Sequence, residues 1–372
     1  RSKGWTRRRM ANVHTTSIPE IDTVRQVLAA IALVLCIGAG HAAPPFVVGD
    51  ESIAVGERRS FFLSVPAGEG DEGTTIPVTV IRGAAPGPVL ALIAGTHGYE
   101  YPPITALQNL RTALDPNALR GTVLMVHVAN VPAFLGRTIY VSPVDGKNLN
   151  RVYPGDLAGT LSDRIAAIIT AEVIERADYL IDLHAGDGNE ALRPYVYMPE
   201  TGDADFDHAA RGLALAFGLD TIVIDRAPVA EPDATVLTDM TAISRGIPAI
   251  TTETGLLGGN ELQLVQLAER GVRNVLRHLD MLDGDVEPND AVVWLEDFSV
   301  VRSPATGVFR PLVEEGWVVA EGVRPGTVHD LFGVRVAEVI APFTGVVNYV
   351  VATPPISEGE PTAKISRLAD AP

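Results

Sequence analysis

The sequence predicts an α/β fold: a mixed, mostly parallel sheet flanked by helices, followed by a small C-terminal all-β domain. From about Pro88 to Leu282, short apolar runs alternate with helix-period segments, the pattern of strands and crossover helices that covers a sheet on both faces. The stretch DGDVEPND, near residues 283–290, reads as a linker. Beyond it the runs are short and β-like, with no helix-period segment of useful length. These observations divide the chain into a leader at 1–42, a catalytic-type domain at 43–282 and a β-barrel or sandwich at 291–372.

The elements follow in order. RRSFFLSV and TTIPVTVIRG, separated by PAGEGDEG, predict two strands of a hairpin-like edge. PVLALIAG is a buried strand, and a helix follows from about Pro102 to Leu114, with two prolines suited to a first turn. GTVLMVHVAN is the next strand; its His127, flanked by valines, reads as a packed core residue and not a ligand. Residues 131–160 hold no long periodic run but are dense in Arg, Asn, Asp, Gly and Pro, which marks a functional loop. Leu161, Ile165, Ile168, Ile169 and Val173 share one helical face, with Ser162 and Asp163 as start signals. YLIDL then carries Asp182 and His184 on one strand face, because side chains two apart point the same way. A helix (about Phe206 to Phe217), the strand TIVID, a helix around Asp239 to Arg245 and the strand IPAITTETG follow, and an amphipathic helix from Glu261 closes the domain. In the last domain SPATGVFRPLVEEG and APFTGVVNYVV form a weak repeat, which suggests two pseudo-symmetric halves.

Composition narrows the function. The 372 residues are 47% hydrophobic and 20% charged, so the chain is globular, and one Cys excludes a cysteine-based zinc module or an internal disulfide. A net charge of −17 argues against nucleic acid as a partner. Residues 1–42 differ from the rest: Arg7-Arg8-Arg9 precede Met10, a possible initiator, and Arg25 precedes the apolar run Val27 to Gly40, followed by His41-Ala42. This is the layout of a signal peptide cleaved after Ala42. The run falls short of the about 20 residues of a membrane span, and Leu35 before Cys36 argues against lipidation; an uncleaved anchor helix is the alternative. Cleavage leaves a charge of −21 and no cysteine, which fits a periplasmic or secreted protein without stable membrane association. The sequence leaves the oligomeric state open.

The chemistry centres on GTHGYE at 95–100. His97 and Glu100 follow an apolar strand across a glycine turn and form a plausible half of a zinc site, since imidazole nitrogen and carboxylate oxygen both bind this metal. His184 and Glu253 also follow apolar strands, and sites in such sheets form at the carboxyl ends of strands.

With DGKNLNR at 145–151, DLHAGD at 182–187 and TTETG at 251–255 in the same order, the chain resembles the succinylglutamate desuccinylase/aspartoacylase family, relatives of the zinc carboxypeptidases, over about residues 75–365. The resemblance implies a zinc-carboxypeptidase-like catalytic domain in which His97, Glu100 and His184 hold one zinc per chain. It implies that Glu253 is the general base, that an Arg, best matched by Arg137, polarises the scissile carbonyl, and that Asn150 and Arg151 hold a substrate carboxylate. Related carboxypeptidases often carry Asp where this chain has Asn148, which puts a supporting contact there in doubt. Asp182 either orients a ligand imidazole or caps a backbone turn.

The expected activity is zinc-dependent hydrolysis of the amide bond of an N-acyl amino acid or similar small carboxylate. A zinc carboxypeptidase acting on a peptide and a non-catalytic metal-dependent binding protein are the alternatives. The Thr-Gly-Val repeat also resembles lipoyl- and biotinyl-type barrels, but the turn GTVHDLFGVRV has no lysine to modify and Lys364 lies at the far end.

Overall fold

The structure, a computed structural model, describes residues 44–289 and 291–372; the leader expected over residues 1–42 lies outside the described residues. A two-stranded ladder of β1 (Phe46–Val48) and β2 (Glu51–Ile53) precedes the main sheet. The anticipated hairpin strands follow as β3 (Arg58–Val65) and β4 (Thr74–Arg82), antiparallel with Arg58 opposite Ile81. Next come β5 (Ala85–Ala94), α1 (Tyr101–Ala113), β6 (Arg120–Val126), a short α2 (Val131–Gly136) and α3 (Leu161–Glu172). Then follow β7 (Tyr179–His184), β8 (Glu190–Leu192), β9 (Tyr195–Pro199), α4 (Ala204–Phe217), β10 (Thr221–Asp225), α5 (Thr238–Ile243), β11 (Ala249–Glu253) and α6 (Leu262–His278).

The apolar run of β5 explains why it is central. Leu90, Leu92 and Ala94 pack in one core with Ile104, Leu107 and Leu110 of α1, whereas Ala91 and Ile93 pack in another with Ile165 and Ile169 of α3. The two-residue period of a strand sends alternate side chains to opposite faces, so only a continuous apolar run suits a sheet covered on both sides. Each of the larger side chains contributes roughly 1.5–3 kcal/mol by leaving water. At the start of α3, Asp163 accepts from the Thr160 N–H at 2.8 Å, so the helix begins one cap earlier than Ser162 suggested.

Parallel pairing joins β6 to β5, β5 to β7, β7 to β11, and β9 to β10. Two antiparallel contacts interrupt it, β4 with β6 and β9 with β11, so the sheet is mixed. β8 and β9 are strands that the sequence did not announce, because GNEALRPYVYMP lacks a clean alternation.

After the linker come β12 (Val293–Arg302), β13 (Gly307–Pro311), β14 (Val318–Val319), β15 (Gly326–His329), β16 (Arg335–Val339), β17 (Gly345–Val351), β18 (Pro355–Ile356) and β19 (Pro361–Leu368). This all-β region continues the main sheet: β12 pairs in parallel with β10 and antiparallel with β19. β17 binds both β19 and β8. The sheet order is β14-β17-β19-β12-β10-β9-β11-β7-β5-β6-β4-β3. β16, β15, β13 and β18 form a separate antiparallel sheet. The two Thr-Gly-Val repeats start β13 and β17, one in each sheet, and Phe309, Val347 and Val350 share the core between them. Among the described residues no helix is long and apolar enough to cross a membrane.

Candidate metal centre and active site

Three strand ends set the site. β5 ends at Ala94 and the chain turns at Gly95, whose φ of 72° is strained for a residue with a side chain, and whose added Cβ would sit 2.9 Å from Val128 Cα. The turn delivers His97, and Glu100 stands at the N-cap position of α1 without a side-chain cap, with Pro102 and Pro103 in the helix's first turn. β7 ends in His184, and in the parallel register of β7 and β11, Glu253 lies directly beside it.

The ligand-type atoms of His97, Glu100 and His184 lie within 4.8 Å of one another. Glu100 Oε1 is 2.7 Å from His97 Nδ1 and 3.0 Å from His184 Nδ1. The outer nitrogens are held as well: His184 Nε2 is 2.9 Å from Asp182 Oδ2, and His97 Nε2 is 3.1 Å from Asn148 Oδ1. Both rings therefore present Nδ1 inward, with the outer nitrogen engaged by an oxygen, as metal-binding imidazoles require. Asp182 takes the ring-orienting role. Asn148 makes the supporting contact that was in doubt, since an amide oxygen accepts as a carboxylate would. Burial works against the charge on Glu100, but the two imidazoles override it and hold its carboxyl low. The cluster fits a divalent metal: two nitrogens and one oxygen converge, and both rings are fixed from behind.

Around it lies a pocket of about 390 Å³. Glu253 lines it with Oε2 buried and unpartnered, and burial pushes its carboxyl well above the usual range. Arg151 lines it too, with Nη1 on the Asn150 carbonyl at 2.5 Å. Asn150 Oδ1 accepts from the Thr238 N–H at 2.8 Å, which leaves the amide Nδ2 facing His184 and the pocket.

Of the sequence-predicted residues, the structure brings together His97, Glu100, His184, Glu253, Asn150 and Arg151 and leaves Arg137 apart. Arg137 ends α2 in a left-handed conformation (φ 52°), is exposed, and lines a different groove with Phe134 and Asn260. The loop from Thr138 to Asn148 separates it from the NLNR segment. Tyr140 reaches the pocket instead: Asp187 holds its backbone N–H at 2.7 Å, and its hydroxyl donates to Glu190 at 2.8 Å.

Sequence reading missed Tyr140, Glu190, Tyr195, Tyr197, Asp239 and the C-terminal residues Arg302, Tyr349 and Lys364, all on the pocket wall. The last three arrive because β8 pairs with β17, placing Leu192 opposite Tyr349, and because β12 joins β10 while β19 lies between β12 and β17. One signal was present for Lys364, a lysine set between the apolar Ala363 and Ile365. Burial raises Glu190 to about 7 and Asp239 to about 6.

Known proteins share this arrangement of chain. The sequence profile of the succinylglutamate desuccinylase/aspartoacylase catalytic domain matches residues 86–279. An N-alpha-acetyl-L-2,4-diaminobutyric acid deacetylase of Halomonas elongata is 32% identical over 286 residues, 75% of this chain and 82% of that protein. The crystal structure of a succinylglutamate desuccinylase/aspartoacylase from Rhodobacter sphaeroides superposes with a TM-score of 0.75 at 26% identity, covering 84% of this chain and 96% of that one. The product-bound ectoine utilization protein EutE (DoeB) of Ruegeria pomeroyi gives 0.74 at 27% identity, covering 83% and 95%. On the extent of these matches, the chain belongs to the succinylglutamate desuccinylase/aspartoacylase family.

Proposed function

We propose that this protein is a zinc-dependent amidohydrolase that removes the acyl group from an N-acyl amino acid or a similar small carboxylate. The observation that carries the proposal is the juxtaposition, in one pocket, of the His97–Glu100–His184 cluster with a buried, unpartnered carboxylate on Glu253. The deacetylase relative, acting by its name on an N-acetylated diamino acid, supports the substrate class.

His97, Glu100 and His184 would hold one zinc. When bound, zinc supplies Lewis-acid chemistry that makes water a competent nucleophile near neutral pH. Glu253 takes the proton from the attacking water and hands one to the leaving nitrogen, from its place beside His184 on the pocket wall. Arg151 grips the substrate carboxylate through its free guanidinium edge, and the Asn150 amide adds a donor. The carbonyl-polarising role expected for Arg137 is not part of this proposal, because Arg137 lines another groove.

Metal analysis of the purified protein is expected to find about one zinc per chain. A panel of N-acyl amino acids and short peptides, assayed with zinc, separates deacylase from carboxypeptidase. Glu253→Gln is expected to lower kcat by about 10²- to 10⁴-fold with zinc retained. Unchanged turnover removes the proposed base, and loss of zinc in that variant would make Glu253 a ligand instead.

A further inference from the structure

The loop that carries Arg137 outward brings Tyr140 inward, and one short segment holds Tyr140 at two points. Its backbone N–H donates to Asp187 Oδ2 at 2.7 Å, and its hydroxyl stands 2.8 Å from both Asn189 Oδ1 and Glu190 Oε1. The segment is itself closed: the Glu190 N–H donates to the Asp187 carbonyl at 3.0 Å, and the Asp187 N–H to Glu190 Oε2 at 3.3 Å. It follows directly on β7, the strand that ends in His184. Tyr140 lies edge-on to the His97 ring at 6.0 Å and forms the pocket wall beside the metal cluster.

Two features of this grip are unfavourable by themselves. Tyr140 has a φ of 60°, a left-handed conformation that is costly for a residue with a side chain. Asp187 is 1% exposed, and its carboxylate meets main-chain N–H groups, that of Tyr140 on one oxygen and that of Gly188 on the other at 2.7 Å. Among the described residues it forms no salt bridge, and burial raises its carboxyl above the usual range. A buried acid without a cation is expensive, and a strained backbone persists only where its surroundings over-determine it. Each feature here stabilises the other, and the result is a fixed position for Tyr140.

The far end of the loop does not depend on this grip. Asp145 accepts from the Ser162 N–H at 2.7 Å and from the Thr160 hydroxyl at 2.8 Å, and Lys147 pairs with Asp163 at 2.6 Å. The start of α3 thus anchors the residues just before Asn148, Asn150 and Arg151. Loss of the Asp187 carboxylate therefore releases residues 138–144 and leaves the substrate clamp in place. We propose that Asp187 is a positioning residue of the active site: through the Tyr140 N–H it fixes the pocket wall beside His97, and turnover depends on that position. The inference rests on the reading of this pocket as the site of hydrolysis. Asp187 does not line the pocket itself, so it acts only through what it holds.

Hydrogen exchange and steady-state kinetics of the zinc-loaded full chain test this together, with kcat measured on whichever N-acyl amino acid or short peptide turns over. Asp187→Ala is expected to speed exchange of the 138–144 amides at least about tenfold and to leave 145–151 unchanged. The same variant is expected to lose roughly ten- to a hundredfold in kcat, with KM within about threefold and zinc content as in the wild type. A residue that only stabilised the fold would shift the denaturation midpoint and leave kcat as it was. Asp187→Asn keeps an oxygen for the Tyr140 N–H and is expected to recover most of both losses. Tyr140→Ala is expected to lower kcat likewise, and adding Asp187→Ala to it to cost less than about a further twofold, because the acid acts through the tyrosine. Unchanged kcat in Asp187→Ala, no recovery in Asp187→Asn, or losses that multiply in the double variant overturn the proposal. Turnover of peptides alone, with the dependence on Asp187 intact, would leave the positioning role standing and remove the deacylase function proposed above.

Discussion

Asn148 Oδ1 lies 3.1 Å from His97 Nε2 and also accepts the Asn150 N–H at 2.9 Å, so one amide ties the His97 imidazole to the NLNR segment. The contact fixes which ring nitrogen faces Glu100. Asn148→Ala is expected to weaken metal affinity by about 10- to 100-fold, measured by competition with a chromophoric chelator. Asn148→Asp, which restores the charge common among related carboxypeptidases, is expected to tighten it. Equal affinities in all three proteins would show that the contact does not orient His97.

Gly98 is where the neighbouring loop touches this turn. A Cβ there would meet the Thr138 carbonyl at 2.2 Å and that of Ala133 at 2.6 Å, both backbone atoms without a soft way to yield. Gly98→Ala is expected to cost about 1–3 kcal/mol of stability in chemical denaturation, because overpacking displaces the segment carrying Tyr140. Wild-type stability would mean that the loop follows without strain.

Arg137 offers a contrasting test. Arg137 lines a separate groove and its backbone is left-handed, a conformation glycine adopts freely. Arg137→Gly is expected to leave kcat/KM within about twofold and to raise stability by up to about 1 kcal/mol. A large fall in kcat with zinc retained would return Arg137 to the catalytic machinery.

His127 predicts the acid limb of stability. It is buried, 2.8 Å from the Thr79 hydroxyl, and burial, reinforced by Arg111, lowers it to about 4. An unfolded histidine titrates near about 6.5, so as pH falls below that value the unfolded chain takes a proton that the folded chain refuses. Stability is expected to drop by about 3 kcal/mol between pH ~6.5 and ~4 from this group. His127→Gln is expected to flatten that slope, followed by urea denaturation across the window; an unchanged slope assigns it to other groups.

Much of the architecture was written in the chain. Strands whose apolar runs are continuous, such as PVLALIAG and YLIDL, were legible because burial on both faces leaves no polar position to confuse the period. β8 and β9 were not, because their side chains face a polar pocket as well as a core. The His97–Glu100–His184 cluster was legible because the family resemblance named its three members and few residue types can hold a metal. The place of Arg137 was not, since sequence distance along a loop says nothing about which way the loop turns.

The sequence by itself determined the α/β order of elements, the all-β character of the C-terminal region, and the His97, Glu100, His184 and Glu253 positions at strand ends. Each follows from local periodicity or from the small set of side chains able to do that chemistry. Tertiary structure alone decided that Asn148 supports His97, that Arg137 stands outside, and that Arg302, Tyr349 and Lys364 enter the pocket from strands far along the chain. Those outcomes depend on strand pairing, β8 with β17 and β12 with β10. Such pairing is selected by the summed burial of whole strands and not by any residue that a linear reading can single out.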